Sequence, residues 1–322
     1  MQHIVINGFG RIGRSILRVL LYQNKDHAYK ITVNDPTPKE KLIYLFKYDS
    51  VHGVSQTPLD NVNFTHHKIP AYDENVDIVL ECSGQFLSFD KAYSHINAGA
   101  KKVLISTNLK DAEETIIYGV NHHKLRQEHK IISNGSCTTN CTAPLLHIFH
   151  QEFSVKACHF TTVHSYTVTQ NLVDGNHHKD LRRGRAAALS IVPSTTGASK
   201  ALARLFPDIS ITGAAYRVPT PNVSVVDMIF ETQKPVSQDH IHEVMQTAAA
   251  MRHDGQQSIL RYNTEEIVSI DCNSTPYSAI FDATQTQVIH PHLVKISAFY
   301  DNEWGFASRM VDVMECWLNE SS

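Results

Sequence analysis

Residues 3–14 read HIVINGFGRIGR, and this stretch decides the fold of the N-terminal part of the chain. The β-branched run HIVIN predicts a strand, and the apolar residues of 11–22 recur at helical spacing. Between them, Gly8, Gly10 and Gly13 form a G-x-G-x-x-G pattern directly after the strand and at the start of the helix. The first glycine permits a tight turn, the second lets backbone approach a pyrophosphate, and the third lets the helix pack on the sheet. The stretch therefore predicts a dinucleotide-binding unit.

Strands and helices continue to alternate up to residue 136. Further strands are predicted at 31–35, 77–84, 102–106 and 130–135, and a second amphipathic helix is predicted over 89–98. Near-continuous apolar strands separated by helices indicate an α/β Rossmann domain, with a doubly wound parallel sheet. Asp35 ends the second strand, where a carboxylate accepts hydrogen bonds from an adenosine ribose and repels a 2′-phosphate. NAD is therefore favoured over NADP.

The pattern changes after residue 150, where strands follow one another with fewer helices. Strands are predicted at 159–167, 211–218, 224–232, 267–271 and 293–300, and helices at 198–205, 239–251 (capped by Ser237) and 303–318. This order predicts a second, mixed and mainly antiparallel α+β domain. The change of period sets the expected boundary near residue 136.

The segment Ser136-Cys137-Thr138-Thr139-Asn140-Cys141 carries the strongest chemical signal. A strand leads into it and a helical pattern follows, so Cys137 is predicted at a helix N-terminus, where unpaired amides and the helix dipole favour a thiolate. A thiolate nucleophile needs a base. His164, in the middle of a predicted strand, is the best candidate, although its position also suits a hydrogen-bonded core histidine.

Composition excludes several other classes of protein. The formal net charge is -3 with both signs mixed along the chain, so no basic surface for nucleic acid is indicated. The apolar runs are too short for a membrane span, and the N-terminus does not resemble a secretion signal. No metal-ligand spacing occurs, and we predict no metal site. Twenty histidines, including the pairs 66–67, 122–123 and 177–178, are interpreted as solvated loop residues. Six cysteines in 322 residues fit a reduced, cytoplasmic protein.

At these motifs the chain resembles the glyceraldehyde-3-phosphate dehydrogenase family. The resemblance rests on six segments in order: NGFGRIGR (7–14), SNGSCTTNC (133–141), TTVHSYT (161–167), PSTTGASKA (193–201), RVPTPNVSVVD (217–227) and YDNEWG (300–305). It implies an NAD-binding Rossmann domain of residues 1–136 completed by a C-terminal helix at 303–322. It further implies a catalytic domain of residues 137–302 that contains an S-shaped loop at 165–191.

The resemblance also implies roles for individual residues. Cys137 is expected to attack the aldehyde, and His164 is expected to act as the base. The residues expected to bind NAD are Asn7, Gly8, Gly10, Arg11, Ile12, Gly13, Asp35, Ser106 and Asn302. The residues expected to bind the phosphate of the substrate are Thr167, Thr169 and Arg217, and those expected to bind inorganic phosphate are Ser136, Thr138, Thr196 and Gly197. Arg183 is expected to help bind phosphate or to line a subunit interface of a homotetramer.

Two alternatives stay open on the sequence. Erythrose-4-phosphate dehydrogenase is a close relative, and segments 125–141 and 301–310 resemble that branch as well. Tyr166, Thr167 and the segment 194–197 favour the triose phosphate enzyme. The second alternative is a non-catalytic NAD-binding or redox-sensing protein, which the intact Cys137 and His164 disfavour.

Overall fold

A computed structural model describes residues 1–23, 28–72, 75–177, 180–252 and 258–319. The chain forms two compact units. The first unit contains Met1–Ser136 and the chain from Phe306 onward, and the second contains Cys137–Gly305.

The first unit is built on a seven-stranded parallel sheet. Its elements are β1 (Gln2–Asn7), α1 (Arg11–Tyr22), β2 (Tyr29–Asn34), α2 (Lys39–Lys47), β3 (Tyr48–Asp49), β4 (Gly53–Val54), β5 (Val62–Thr65), β6 (Val76–Glu81), α3 (Phe89–Asn97), β7 (Ala100–Ile105), β8 (Glu114–Thr115) and β9 (Ile131–Ser133). The sheet order is β5-β2-β1-β6-β7-β9-β8, and every neighbouring pair is parallel. β3 and β4 form a separate hairpin. The predicted Rossmann sheet is confirmed.

The direction of winding reverses between β1 and β6. From β1 the chain proceeds outward through β2 to β5, and from β6 it proceeds through β7 to β9 on the other side. Such a switch point leaves a crevice at the carboxyl ends of the two central strands, which is where ligands bind in open α/β sheets. The strands themselves are buried, as the apolar runs predicted: Ile4, Val5 and Ile6 are at most 1% exposed.

The last helix, α7 (Trp304–Asn319), is held to the first unit by polar contacts at its C-terminal end. Lys102 Nζ donates to the carbonyl oxygen of Trp317 at 2.7 Å and lies 5.0 Å from the centre of the indole ring. The indole Nε1 in turn donates to the carbonyl oxygen of Arg126 at 3.0 Å. A cation at a helix C-terminus is favourable because unpaired carbonyls and the helix dipole concentrate negative charge there.

The second unit contains a seven-stranded mixed sheet. Its elements are α4 (Cys137–Phe153), β10 (Val155–Ser165), β11 (Val192–Ser194), α5 (Ala198–Leu205), β12 (Ser210–Val218), β13 (Ser224–Thr232), α6 (Gln238–Ala250), β14 (Leu260–Asn263), β15 (Ala279–His290) and β16 (Leu293–Tyr300). The order is β11-β12-β10-β13-β16-β15-β14. The β10–β12 and β14–β15 pairs are parallel, and the other four pairs are antiparallel. The prediction of a mainly antiparallel mixed sheet is confirmed.

One predicted strand of this unit is wrong. Residues 267–271 do not pair with a strand; the chain forms a 3₁₀ turn at Ser269–Cys272. The reason is local, because the Asp271 carboxylate accepts the backbone amide of Val268 at 2.9 Å and closes the turn. The predicted cap of α6 is confirmed, since Ser237 Oγ accepts the amide of His240 at 3.3 Å. The predictions for His178 and for 320–322 lie outside the described residues.

Candidate active site

Cys137 is the first residue of α4, and its sulfur faces His164. The Sγ atom lies 3.4 Å from Nε2 of His164, which is the next-to-last residue of β10. The thiol retains partial exposure, whereas His164 is 5% exposed. A thiol within hydrogen-bonding distance of an imidazole is the arrangement of an activated cysteine nucleophile.

Strand register brings Arg217 to the other side of the same imidazole. β10 and β12 are parallel, and His164 lies opposite Arg217 in their ladder. Arg217 Nη1 lies 2.6 Å from His164 Nδ1 and donates to the carbonyl oxygen of Ser165 at 2.9 Å. That carbonyl also lies 2.8 Å from Nδ1. The ring is therefore fixed between the sulfur and a guanidinium.

Burial and the charge of Arg217 keep His164 neutral. Together, desolvation first and the guanidinium second, they lower the pKa of His164 to about 3. The sulfur experiences opposing effects. Burial raises the pKa of the Cys137 thiol, while Arg217, the backbone amide and hydroxyl of Thr138, and the amide of Cys137 lower it.

This balance corrects the expectation that the helix N-terminus favours a resting thiolate at Cys137. Burial dominates, so the pKa of Cys137 lies above its usual value and the resting group is a thiol beside a neutral imidazole. The helix amides act in the predicted direction, but desolvation of the sulfur outweighs them.

Tyr300 was not among the residues singled out from the sequence, and its ring packs against His164. The two rings are nearly perpendicular, at 79°, and their centres are 6.0 Å apart. Its hydroxyl lies 3.0 Å from Thr138 Oγ1 and 2.8 Å from Thr162 Oγ1, joining α4, β10 and β16. The available signal was its position as the first residue of the quoted motif YDNEWG. Tyr300 therefore holds the Thr138 hydroxyl and packs against the His164 ring.

The side chain of Asn302 has one defined orientation. Its Oδ1 accepts hydrogen bonds from the hydroxyls of Ser165 at 2.8 Å and Ser224 at 2.9 Å. Because two donors occupy the oxygen, the amide nitrogen is turned away from them as a donor. The side-chain N–H groups of Asn302 therefore point away from Ser165 and Ser224 and can donate to another group.

The predicted phosphate residues fall into separate groups, on the segments that follow β10 and β11. Thr167 and Thr169 follow β10, and their hydroxyls bond to each other at 2.9 Å. On the other side, β11 pairs with β12 and leads to Thr196 and Gly197 at the start of α5; Thr196 Oγ1 accepts the amide of Ala198 at 3.2 Å.

Two further residues stand near these groups. Arg183 Nη2 donates to Ser194 Oγ at 2.8 Å, so its guanidinium is tied to β11. Burial lowers the pKa of Arg217, and the charge of Arg183 adds to that effect. Ser136 immediately precedes α4 and is half-buried. The site is therefore rich in cationic and hydroxyl groups suited to anions.

Four of the predicted cofactor residues of the first unit, Asn7, Gly8, Gly10 and Asp35, line a cavity of about 490 Å³ at the switch point. It is bordered by Asn7, Gly8, Gly10, Asn34, Asp35, Pro36, His67, Lys68, Cys82, Ser83, Gln85 and Phe86. The Asp35 carboxylate accepts the amides of Phe9 and Thr37, each at 2.9 Å, which fixes its position at the rim.

Of the other predicted cofactor residues of this unit, Arg11, Ile12 and Gly13 lie in the first turn of α1, and Ser106 follows β7. Ile12 is half-buried there. Arg11 forms an ion pair with Asp49 at 2.6 Å, so its side chain anchors the 48–54 hairpin. Ser106 follows β7 and donates its amide to the carbonyl of Glu81 at 3.0 Å.

Comparison with known proteins identifies the family. Residues 2–89 match the glyceraldehyde 3-phosphate dehydrogenase NAD binding domain, and residues 136–302 match the C-terminal domain of the same family. The chain is 41% identical to glyceraldehyde-3-phosphate dehydrogenase of Xanthobacter flavus over 96% of both chains. It is 43% identical to that of Geobacillus stearothermophilus over 96% of both chains. The chain belongs to the glyceraldehyde 3-phosphate dehydrogenase family.

Members of the glyceraldehyde 3-phosphate dehydrogenase family are NAD-dependent oxidoreductases that act on an aldehyde, and the glycine loop of this chain fits NAD. A Cβ atom on Gly8, whose φ is +88°, would lie 2.4 Å from Ser83 Cα, and one on Gly13 would lie 2.2 Å from Gly8 O. Both positions therefore require glycine for packing. Gly10 differs, because a Cβ there would meet nothing within 4 Å. Packing does not explain this glycine, which leaves open space at the N-terminus of α1, where helix amides favour an anion.

Proposed function

We propose that this chain is a phosphorylating, NAD-dependent glyceraldehyde-3-phosphate dehydrogenase. The observation that carries the proposal is the 3.4 Å contact of Cys137 Sγ with His164 Nε2, next to a guanidinium that can bind phosphate. A non-catalytic role would not require a nucleophile, a base and an anion-binding group to converge on one edge of the sheet.

The proposed reaction begins with proton transfer from the Cys137 thiol to His164 as the sulfur attacks the aldehyde carbon. A C–S bond forms, and the carbonyl oxygen becomes the hydroxyl of a thiohemiacetal after it takes up that proton. The neutral imidazole then removes the hydroxyl proton, the C=O bond re-forms, and the C–H bond breaks with loss of hydride. Bound NAD supplies the hydride acceptor. The product on the enzyme is an acyl thioester of Cys137.

Arg217 links substrate binding to the basicity of His164. Burial is the main cause of the low imidazole pKa, and the charge of Arg217 is the second; the phosphate of the substrate, bound to this guanidinium, offsets the second. The base therefore becomes stronger when the correct substrate is present. Thr167 and Thr169 are proposed to share that phosphate with Arg217.

A second anion, inorganic phosphate, is proposed to cleave the thioester. Its oxygen attacks the acyl carbon, the C–S bond breaks, and the sulfur leaves as a thiolate that is reprotonated by His164. Ser136, Thr138, Thr196 and Gly197 are the groups proposed to hold it. The product is an acyl phosphate, 1,3-bisphosphoglycerate when the substrate is the triose.

The NAD-binding roles of the residues that border the cavity in the first unit are also proposals. Asp35 would bind the adenosine ribose, and Gly10 would admit the pyrophosphate. Asn302 would donate its Nδ2–H group to the nicotinamide carboxamide. Direct titration with NAD and NADP tests the assignment of Asp35, because equal affinity for both dinucleotides would contradict it.

The substrate is proposed to be glyceraldehyde 3-phosphate rather than erythrose 4-phosphate. All of the relatives described above are glyceraldehyde-3-phosphate dehydrogenases by name, and their similarity covers nearly the full chain. The test is NADH formation with each sugar phosphate, with and without inorganic phosphate. We expect faster turnover with the triose and strict dependence on phosphate; a higher kcat/KM for the tetrose would overturn the choice.

Self-association is proposed from apolar side chains on the loop that follows β10. Val168, Leu172, Val173, Leu181, Leu189 and Ile191 are each at least 70% exposed. Six such residues within one short segment are unusual on a monomer surface and are typical of an interface. We propose a homotetramer, which sedimentation velocity tests; a monomer at micromolar concentration would contradict it.

We propose a cytoplasmic location. All six cysteines are free thiols, and the nucleophile Cys137 has to stay reduced to act. Separately, no helix within the described ranges has the length and apolar content needed to cross a membrane.

A further inference from the structure

A buried polar cluster adjoins the cofactor cavity of the first unit. We call it the Glu81 cluster; it consists of Asn7, Asn34, Tyr72, Glu81 and His95. Asn7, Asn34, Glu81 and His95 are each at most 6% exposed. Burying this many polar groups costs free energy unless each of them is paired.

Glu81, the last residue of β6, is the centre of this cluster. Its Oε1 accepts the backbone amide of Ser83 at 2.7 Å and the hydroxyl of Ser83 at 2.6 Å. Its Oε2 accepts Asn7 Nδ2 at 2.5 Å and lies 3.1 Å from His95 Nε2. Four donors around one carboxyl group match a carboxylate, which only accepts.

For a neutral His95 imidazole, these contacts fit one pattern of donors and acceptors. Burial and the charge of Glu81 raise the pKa of Tyr72, so its hydroxyl stays protonated and can donate to His95 Nδ1, 2.5 Å away. His95 then carries its proton on Nε2 and donates to Glu81. The imidazole lies between the rings of Tyr72 and Phe86, and Phe86 borders the cofactor cavity.

Glu81 also controls backbone that forms the cavity. The Ser83 turn that it holds is the segment against which Gly8 packs, at a distance that leaves no room for a Cβ atom. Asn7 Oδ1 accepts Asn34 Nδ2 at 2.7 Å, which continues the cluster to the end of β2. Thus one carboxylate connects the ends of β6, β1 and β2, the three strands whose carboxyl ends surround the cavity.

We propose that Glu81, supported by His95 and Tyr72, is a positioning residue for NAD that fixes the glycine loop and the Ser83 turn in the binding geometry. The inference rests on the proposed function, because it takes the ligand of this cavity to be NAD. Glu81 need not touch the cofactor, since it acts through Asn7 and the Ser83 backbone.

The test compares Glu81→Gln, His95→Gln and Tyr72→Phe with a control, His123→Gln, at an exposed histidine of the same unit. NAD affinity is measured by calorimetric titration, which requires no turnover, and the NAD KM and kcat are measured separately.

In Glu81→Gln the new amide presents an N–H group to donors, so at least one of Asn7 and Ser83 loses its acceptor. We expect the Kd and KM for NAD to rise about tenfold or more in Glu81→Gln and His95→Gln, and about threefold in Tyr72→Phe. The control should leave both unchanged, and kcat at saturating NAD should stay within about threefold of wild type in all variants.

The outcomes separate a positioning role from a purely structural one. A structural role would lower the melting temperature and the fraction of active enzyme while leaving Kd and KM of the folded protein unchanged, and that result would overturn the proposal. Should Glu81→Gln fail to fold, Tyr72→Phe and His95→Gln decide in the same way. Wild-type protein that binds NAD but does not oxidise a sugar phosphate would refute the proposed function alone, because the Kd comparison still stands.

Discussion

Replacing Arg217 with glutamine is expected to slow alkylation of Cys137, because Arg217 is the full positive charge that lowers the pKa of that thiol. The guanidinium and the sulfur lie on opposite sides of one imidazole ring, with contacts of 2.6 Å and 3.4 Å. These two contacts and the imidazole ring between them put the charge within roughly 8 Å of the sulfur. At an effective dielectric constant of about 20, this corresponds to roughly 2 kcal/mol of stabilisation of the thiolate.

An energy of that size corresponds to roughly a 30-fold difference in thiolate population. Cys137 as a residue is not fully buried, so solvent screening weakens the effect, and we expect about a tenfold slower reaction with iodoacetamide. The same substitution should raise the pKa of His164 toward its ordinary value of 6.5. Above pH 7.5 the imidazole is then still mostly neutral, so its titration does not mask the change at the sulfur.

The assay measures the pseudo-first-order alkylation rate between pH 7.5 and 9.5, with peptide mass spectrometry to assign the adduct to Cys137. Arg185→Gln is the matched control, since that guanidinium is exposed and pairs with Asp174. An Arg217→Gln rate equal to wild type would show that the charge does not act on the sulfur, and would refute the electrostatic account of the site.

Three further predictions follow from contacts in the two units. His164→Asn should lower kcat by about 10² to 10⁴, and stopped-flow NADH formation measures it; a loss below tenfold would exclude His164 as the base. Gly8→Ala should destabilise the first unit by more than about 3 kcal/mol, because the added Cβ meets backbone at positive φ. Gly10→Ala should leave the melting temperature unchanged and weaken NAD binding at least tenfold, roughly the loss of one good phosphate contact. A stable Gly8→Ala variant together with a destabilised Gly10→Ala variant would contradict the roles given to these glycines. Lys102→Met should cost about 1–2 kcal/mol by removing its contacts with the end of α7; denaturant unfolding measures it, and an unchanged midpoint would show that the contact is neutral.

Elements with a strong local pattern could be predicted from the sequence, in some cases to the residue. The helix Arg11–Tyr22 and the strands Ser224–Thr232 and Leu293–Tyr300 have the predicted bounds, because their apolar periodicity is uninterrupted. β14 and β15 were missed, and Ile267 to Asp271 was mistaken for a strand. In residues 267–271 the Asp271 carboxylate accepts the amide of Val268 and closes a turn, although the apolar residues have β propensity. Apolar periodicity does not detect such a hydrogen bond.

The candidate site could be predicted only in part, for a physical reason. Sequence motifs identify Cys137 as a candidate nucleophile and His164 as a candidate base. The side chains that surround these two residues depend on strand register. The register of β10 and β12 places Arg217 beside the imidazole, and it could not be derived from spacing. For the same reason Tyr300 and Glu81 were missed, since each acts through partners far away in sequence.

The central claim is that Cys137 carries the substrate as an acyl thioester, and trapping that species tests it most directly. Enzyme is mixed with NAD and glyceraldehyde 3-phosphate in the absence of inorganic phosphate, quenched in acid and digested for mass spectrometry. We predict a burst of about one NADH per active site and an acyl adduct on the peptide that contains Cys137, which disappears when phosphate is added. Sustained NADH formation without phosphate, or an adduct on any other residue, would contradict the account.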